Sequence, residues 1–247
     1  MKTASAVALV FACGLLACSG GGETPPDRGT AAASGEAPRA SSVSTAVSTA
    51  DSTPASREAS TAARPRIVFL GDSLTAGYGL EREQSIPSLT QARLDREGYR
   101  YEVVNAGVSG DTSAGGVRRL EWSLDGDVRV LVVELGANDG LRGLSVADLR
   151  RNLTQVISTA KQRGITVVLT GMEAPPNYGA SYTAEFRQVY RDLAKEPGIV
   201  FIPFYLEGVA GNPALNIADG IHPNPAGARI VEANIWKTLQ PLLEKAR

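Results

Sequence analysis

Histidine and cysteine are almost absent from this chain of 247 residues, which contains one histidine and two cysteines. Both cysteines, Cys13 and Cys18, lie near the N-terminus, so the rest of the chain can form neither a disulfide nor a thiolate metal cluster. Any chemistry that requires an imidazole depends on His222 alone. The formal net charge is -1 and no long basic run follows the first residues, which argues against nucleic acid as a main partner.

The apolar run at the N-terminus is shorter than the roughly 20 residues that a membrane-spanning helix needs. Residues 4–17 are mostly small and apolar, and they follow the basic start Met1-Lys2, as in the signal peptide of an exported protein. The run ends in Leu15-Leu16-Ala17-Cys18, which resembles a bacterial lipobox. This resemblance implies cleavage before Cys18, lipidation of its thiol and anchoring by several acyl chains. The alternative is an ordinary signal peptide with an incidental cysteine.

Residues 19–65 contain no leucine, isoleucine or aromatic residue, and they cannot bury enough apolar surface to offset their ordering entropy. We therefore expect a signal peptide over residues 1–17, then a segment over residues 18–65 that contains the lipidated Cys18 and a disordered tether, and a folded domain over residues 66–247. The protein would be an exported lipoprotein, anchored to a membrane and facing the periplasm. Ser19, by the sorting habit of enterobacterial lipoproteins, favours the outer membrane.

In the part that we expect to fold, short β-branched runs alternate with segments of helical periodicity. The predicted strands cover residues 67–70, 101–105, 128–135, 165–169 and 199–202, and we expect the third to be central. The predicted helices cover about residues 85–97, 145–163 and 182–195 and a final segment from residue 224. This alternation predicts an α/β domain whose five-stranded parallel sheet is covered by helices on both faces.

Four short polar motifs each follow a predicted strand. They are Gly71-Asp72-Ser73-Leu74, Val108-Ser109-Gly110-Asp111-Thr112, Gly136-Ala137-Asn138-Asp139 and Asp219-Gly220-Ile221-His222-Pro223. Taken singly, each motif is compatible with an ordinary turn. Because the carboxyl ends of parallel strands meet at one edge of a sheet, where open α/β folds bind ligands, we expect the four to form one site.

These residue types together suit acyl transfer. Ser73 is the candidate nucleophile, His222 is the only imidazole that could serve as its base, and Asp219 lies close enough in sequence to orient the imidazole. A tetrahedral intermediate also needs donors for its oxyanion. The backbone N–H groups of Ser73 and Gly110 and the side chain of Asn138 could supply three.

A metal site is an alternative for two of these residues. Asp219 and His222 could be metal ligands, but two ligands without further histidine or cysteine make a poor site. We therefore predict no metal. Asp111 and Glu173 are acids near the same edge, and the sequence gives them no role beyond bracing loops.

The four motifs together resemble the four sequence blocks of the SGNH (GDSL) hydrolase family. The resemblance covers nearly all of residues 66–247 and is closest to the bacterial thioesterase and lysophospholipase group of that family. The loops over residues 138–143 and 176–179 are similar to that group as well. Ala137 departs from a glycine that is frequent there, and we expect it to alter loop flexibility more than chemistry.

The resemblance implies a flavodoxin-like three-layer sandwich with a five-stranded parallel sheet, and an enzyme that needs no metal or organic cofactor. It also implies that the chain is a serine esterase or thioesterase that forms an acyl-enzyme. Its small-molecule substrates would be aryl esters, short acyl esters, acyl-CoA or lysophospholipids, and we expect a monomer. Two alternatives stay open. One is an O-acetyl esterase or acyltransferase acting on cell-envelope glycans, and the other is a catalytically silent lipoprotein that binds partners.

Overall fold

Five parallel strands form one sheet in the computed structural model, which describes residues 63–246. The predicted signal peptide, the lipidated Cys18 and nearly all of the predicted tether lie outside the described residues. The strands are β1 (Arg66–Gly71), β2 (Glu102–Gly107), β3 (Val128–Glu134), β4 (Thr166–Thr170) and β5 (Ile199–Ile202). Their order in the sheet is β2-β1-β3-β4-β5, so the predicted number of strands and the central place of β3 are confirmed.

The central strands are buried on both faces, which explains their continuous apolar sequence. In β1 the four residues from Ile67 to Leu70 are fully buried, and in β3 the same holds for the three residues from Leu131 to Val133. Burying each large apolar side chain stabilises the fold by about 1.5–3 kcal/mol, so these two strands form the centre of the core.

Helices cover the sheet in two layers. The longer helices are α2 (Ile86–Arg96), α6 (Val146–Gln162), α7 (Ala180–Leu193) and α8 (Pro225–Lys245). The shorter helices are α1 (Ser73–Ala76), α3 (Ser113–Arg118), α4 (Leu120–Ser123) and α5 (Ala137–Leu141). Helix α2 packs against α8, whereas α6 packs against α3 and α7. This is the sandwich that the sequence predicted. In residues 63–246 we find no helix with the length and apolar character needed to cross a membrane.

Side-chain caps fix the starts of three long helices. Ser85 accepts a hydrogen bond from the N–H of Ser88, and Ser145 accepts one from the N–H of Asp148. Asn224 accepts two, from the first turn of α8. Each cap satisfies an otherwise free N–H and contributes about 1 kcal/mol, and each lies where the sequence predicted a helix to begin.

The four short helices were not predicted separately, because they are too short to show helical periodicity. Three of them, α1, α3 and α5, begin within a few residues of the ends of β1, β2 and β3. They therefore occupy the edge of the sheet at which the polar motifs lie.

Candidate active site

The first motif turns sharply from β1 into α1. Asp72 caps α1 by accepting a hydrogen bond from the N–H of Leu74 at 3.0 Å, and Ser73 is the first residue of the helix. Gly71 has to be glycine, because a Cβ there would lie 2.0 Å from Oγ1 of Thr75 and 2.6 Å from Oε2 of Glu134. The close packing behind this turn presents Ser73 at the sheet edge.

Ser73, His222 and Asp219 form a continuous hydrogen-bonded chain. Nε2 of His222 lies 2.8 Å from Oγ of Ser73, and Nδ1 lies 2.7 Å from Oδ2 of Asp219. With the proton on Nδ1, the Nε2 lone pair faces the serine hydroxyl. This is the geometry that a base needs to accept the proton of a nucleophile.

The loop before α8 holds the acid and the base in place. Oδ1 of Asp219 accepts the backbone N–H groups of Ile221 at 3.0 Å and His222 at 3.1 Å. Desolvation raises the pKa of Asp219, but the hydrogen bonds from Ile221 and from the ring and N–H of His222 outweigh it, so this pKa lies below its ordinary value. A bridge between Asn216 and Pro223 closes the loop on itself. Asp219 is therefore a carboxylate at neutral pH, fixed against the imidazole.

An aromatic ring also contacts the imidazole. The ring of Tyr78 lies 4.8 Å from that of His222 at an interplanar angle of 45°, and it is largely exposed on its other side. Nothing in the sequence assigned Tyr78 to the site, since the contact joins two loops distant in the chain.

The predicted oxyanion donors line the same cavity as Ser73. Gly110 has a φ of 80°, a backbone conformation that other residues adopt at a cost. Nδ2 of Asn138 donates to Oδ2 of Asp72 at 3.0 Å. Because an amide carries two N–H groups, this bond fixes the Asn138 side chain and leaves a second N–H for a ligand.

A buried network connects the loops that carry Gly110 and Asn138. The carboxylate of Asp139 accepts the N–H of Ser113 at 2.8 Å and its hydroxyl at 2.6 Å. Nδ2 of Asn152 donates to the same hydroxyl at 2.9 Å. Ser113 begins α3, just after Gly110, and Asp139 follows Asn138. The network therefore fixes the distance between the two loops.

Arg119 binds the ends of two strands together. Its guanidinium donates to the carbonyls of Gly71 at 2.7 Å and Ala106 at 2.5 Å, and to the carboxylate of Asp111 at 2.7 Å. Asp111 thus braces the loop that contains Gly110. Glu173, the other acid near this edge, accepts three hydrogen bonds from Arg187: two from Nε at 2.6 and 2.9 Å and one from Nη2 at 2.5 Å.

The cavity above Ser73 has a volume of about 660 Å³ and is lined mostly by apolar side chains. Its apolar lining comprises Leu74, Tyr78, Ala137, Leu141, Met172, Ala174, Pro175, Pro176, Phe204, Leu206, Ala210 and Ile221. No lysine or arginine belongs to the lining that the described residues form. Within residues 63–246 no three histidine, cysteine, aspartate or glutamate side chains lie together as a metal site would require.

Several residues that position the site were not found from the sequence. Asp72, Asp139 and Arg119 read as ordinary turn or surface residues because their partners lie in distant segments. Glu134 did carry a signal, since it is an acid at the end of the apolar run Val130–Val133. A fully buried charge-bearing side chain next to a polar motif is a reason to look for a partner.

Known proteins resemble this chain in sequence and in fold. The model of the GDSL-like Lipase/Acylhydrolase family matches residues 69–230. Esterase TesA of Pseudomonas aeruginosa is 46% identical over 183 residues, which are 74% of this chain and 91% of that protein. Thioesterase 1/protease 1/lysophospholipase L1 of Escherichia coli K12 is 37% identical over 183 residues, 74% of this chain and 86% of that protein. The crystal structure of psychrotrophic esterase EstA from a Pseudoalteromonas species, inhibited by monoethylphosphonate, superposes with a TM-score of 0.69 at 31% identity, covering 72% of this chain and 98% of that one.

Proposed function

The chain belongs to the GDSL-like lipase/acylhydrolase family and is a serine esterase or thioesterase, and from this premise we propose how its own residues perform the hydrolysis. Ser73 is the nucleophile, His222 the general base and Asp219 the residue that orients the imidazole. The observation that carries the proposal is the unbroken chain of hydrogen bonds from Asp219 through His222 to Ser73, at 2.7 and 2.8 Å.

In the first step Oγ of Ser73 attacks the acyl carbonyl carbon while Nε2 of His222 accepts the hydroxyl proton. The negative charge of Asp219 stabilises the resulting imidazolium. The tetrahedral intermediate then collapses, the bond to the alcohol or thiol breaks, and the imidazolium returns the proton to the leaving group. The acyl group stays on Ser73 as an ester.

Three donors would stabilise the oxyanion: the N–H groups of Ser73 and Gly110 and the free N–H of Asn138. These groups line one cavity and are held by the Asp72 and Asp139 contacts, so they need little rearrangement as charge develops. In the second half of the reaction His222 activates a water molecule, which attacks the acyl-enzyme and releases the acid.

The cavity favours an uncharged, apolar acyl or aryl group. Its lining offers hydrophobic contact over most of its surface, and its one charged residue apart from Asp72 and His222, Glu173, is neutralised by Arg187. A phosphate-bearing leaving group, as in acyl-CoA or a lysophospholipid, would find no cation in this lining, although the guanidinium of Arg142 contacts one lining residue by donating to the carbonyl of Gly110 at 2.8 Å. We therefore place neutral acyl and aryl esters first among the substrates and charged thioesters second.

The proposal is tested by fluorophosphonate labelling and by kcat/KM for p-nitrophenyl esters of increasing acyl length, with acyl-CoA and acetylated glycans for comparison. Ser73→Ala removes the labelled hydroxyl and should lower kcat by about 10⁴-fold or more. Ser158→Ala, the same change on α6 away from the cavity, should keep both label and rate. A folded Ser73→Ala enzyme that keeps the parent rate would refute the assignment, and activity confined to acetylated glycans would favour a glycan O-acetyl esterase.

We also propose that the enzyme is an exported lipoprotein that works as a monomer at the periplasmic side of a membrane. The lipobox-like end of the apolar N-terminal run supports lipidation of Cys18. The five proposed site residues lie together within one chain, so the proposed chemistry needs no second subunit.

A further inference from the structure

A buried carboxyl group lies directly beneath the turn that carries Ser73. Glu134 ends β3 and pairs in register with Gly71 at the end of β1. Its side chain is fully buried, and its Oε2 occupies the space that a side chain at position 71 would need. The mechanism described above makes no use of this group.

One oxygen of Glu134 holds the chain on both sides of the nucleophile. Oε2 accepts the backbone N–H of Asp72 at 3.1 Å and the hydroxyl of Thr75 at 2.8 Å. Asp72 immediately precedes Ser73 in the chain. Thr75 follows Leu74 in α1 and is two residues after Ser73. A single atom therefore fixes the direction in which the first turn of α1 presents the serine hydroxyl.

The other oxygen of Glu134, Oε1, is buried and has no hydrogen-bond partner among residues 63–246. This asymmetry matches a carboxylic acid, in which the carbonyl oxygen accepts hydrogen bonds and the second oxygen carries the proton. An ionised carboxylate would instead leave a charged oxygen buried without a donor, which is costly.

The charges around Glu134 favour the same state. The carboxyl of Asp72 is also buried, and two like charges at such proximity do not both ionise. Asp72 accepts N–H groups from Leu74 and Asn138, which stabilise its charge, so the shared proton belongs on Glu134. Burial first and the charge of Asp72 second raise the pKa of Glu134 well above its ordinary value.

We propose that Glu134 is a positioning residue for Ser73 and acts as a neutral carboxylic acid that braces the nucleophile turn through Oε2. This inference rests on the proposed role of Ser73. The neutral form supplies two acceptor contacts without adding a second negative charge beside Asp72, near the place where the oxyanion develops. An ionised Glu134 would repel the negative charge that develops on the oxyanion, and kcat would be lower.

The test compares three variants by kcat, KM and the pH profile of kcat. Glu134→Gln keeps a carbonyl acceptor in a side chain of the same shape, and we expect it to retain the kcat of the wild-type enzyme near neutral pH. Glu134→Ala removes the brace and should lower kcat by about 10- to 100-fold with little change in KM. Glu232→Gln is the matched control, because it makes the same change in a buried glutamate of α8 remote from Ser73.

The pH profile tests the neutral state itself. The titratable side chains that face Glu134 are Asp72, Tyr190 and Tyr205, and burial raises the pKa of both tyrosines well above 10.0. We therefore expect wild-type kcat to fall on the alkaline side as Glu134 loses its proton, and Glu134→Gln to lack this fall. Infrared difference spectra should show the C=O band of a protonated acid at neutral pH in the wild type and not in Glu134→Gln.

Five results separate the possibilities. Equal loss of kcat in folded Glu134→Gln and Glu134→Ala would overturn the proposal, and so would wild-type kcat in Glu134→Ala or an unchanged alkaline limb in Glu134→Gln. Should Glu134→Ala not fold, Thr75→Val removes one of the two contacts, and an unchanged kcat there would overturn the brace. Absence of fluorophosphonate labelling in the wild-type enzyme would instead refute the proposed role of Ser73.

Discussion

Replacement of Asn138 by alanine would remove two hydrogen-bonding functions of one amide. One N–H of this amide donates to Asp72 at 3.0 Å, and the other is free to donate to the oxyanion. Loss of an oxyanion donor lowers kcat by about 10²–10³-fold, or roughly 2.7–4 kcal/mol of transition-state stabilisation. KM should change little, because the donor acts on charge that develops only in the transition state.

The same substitution should also destabilise the fold. Asp72 is buried and would lose the N–H of Asn138 as a donor, so we expect the free energy of unfolding to fall by about 1–3 kcal/mol. Urea unfolding measures this loss, and steady-state kinetics well below the unfolding transition measures the rate. The two readouts separate the catalytic function of the amide from its structural one.

Asn152→Ala is the matched control for this prediction. It removes another buried amide, which donates to Ser113 at 2.9 Å and does not line the cavity. The two hydrogen bonds between Ser113 and Asp139 persist without Asn152 and keep the oxyanion loops joined, so we expect a similar loss of stability with a much smaller change in kcat. The reasoning is refuted if a folded Asn138→Ala enzyme loses less than about tenfold in kcat, or if Asn152→Ala loses as much as Asn138→Ala.

Other parts of the structure give further predictions. Tyr78→Ala should lower kcat by freeing the imidazole of His222, and Tyr78→Phe should restore it, since the contact is between the two rings and does not involve the hydroxyl in any hydrogen bond to His222; equal losses in both variants would contradict this. Cys18→Ser should abolish incorporation of a labelled fatty acid and release the protein from membranes, whereas Cys13→Ser should change neither; label retained in the first variant would exclude lipidation at that thiol. The pKa of Glu134 is raised in the folded protein, so its contribution to stability is complete below about pH 4.5. Above that pH the contribution declines by up to about 1.4 kcal/mol per pH unit, until the pH exceeds the folded-state pKa. The free energy of unfolding of Glu134→Gln minus that of the wild type, measured with urea from pH 5 upward, should therefore increase with pH. A difference that stays constant would contradict a buried neutral acid.

The strands and the site residues could be predicted because both depend on local sequence. Buried β-branched runs identify β1 and β3, and polar motifs directly after strands identify Ser73 and Asn138. The contacts that orient those side chains could not be predicted. Oε2 of Glu134 reaches Thr75, 59 residues away, only because β1 and β3 pair in a register that no local pattern specifies.

The same limit applies to the surroundings of the base. The sequence identifies His222 as the only imidazole, but the ring of Tyr78 reaches it through two loops whose shapes depend on the completed fold. Likewise, Arg119 has the sequence environment of a surface residue, although its guanidinium joins the carbonyl ends of β1 and β2. Side chains that act through long-range geometry leave little trace in local composition.

The separation of 149 positions between Ser73 and His222 in the sequence has a consequence for how the protein acquires activity. The proposed nucleophile and oxyanion donors precede the proposed base in the chain, and the base takes its place only when the loop before α8 docks at the sheet edge. A chain that folds from its N-terminal side therefore has no activated serine while it is incomplete. At that stage it does not hydrolyse esters. During refolding, recovery of hydrolysis requires the docking of this loop, whereas circular dichroism reports the formation of helices and sheet.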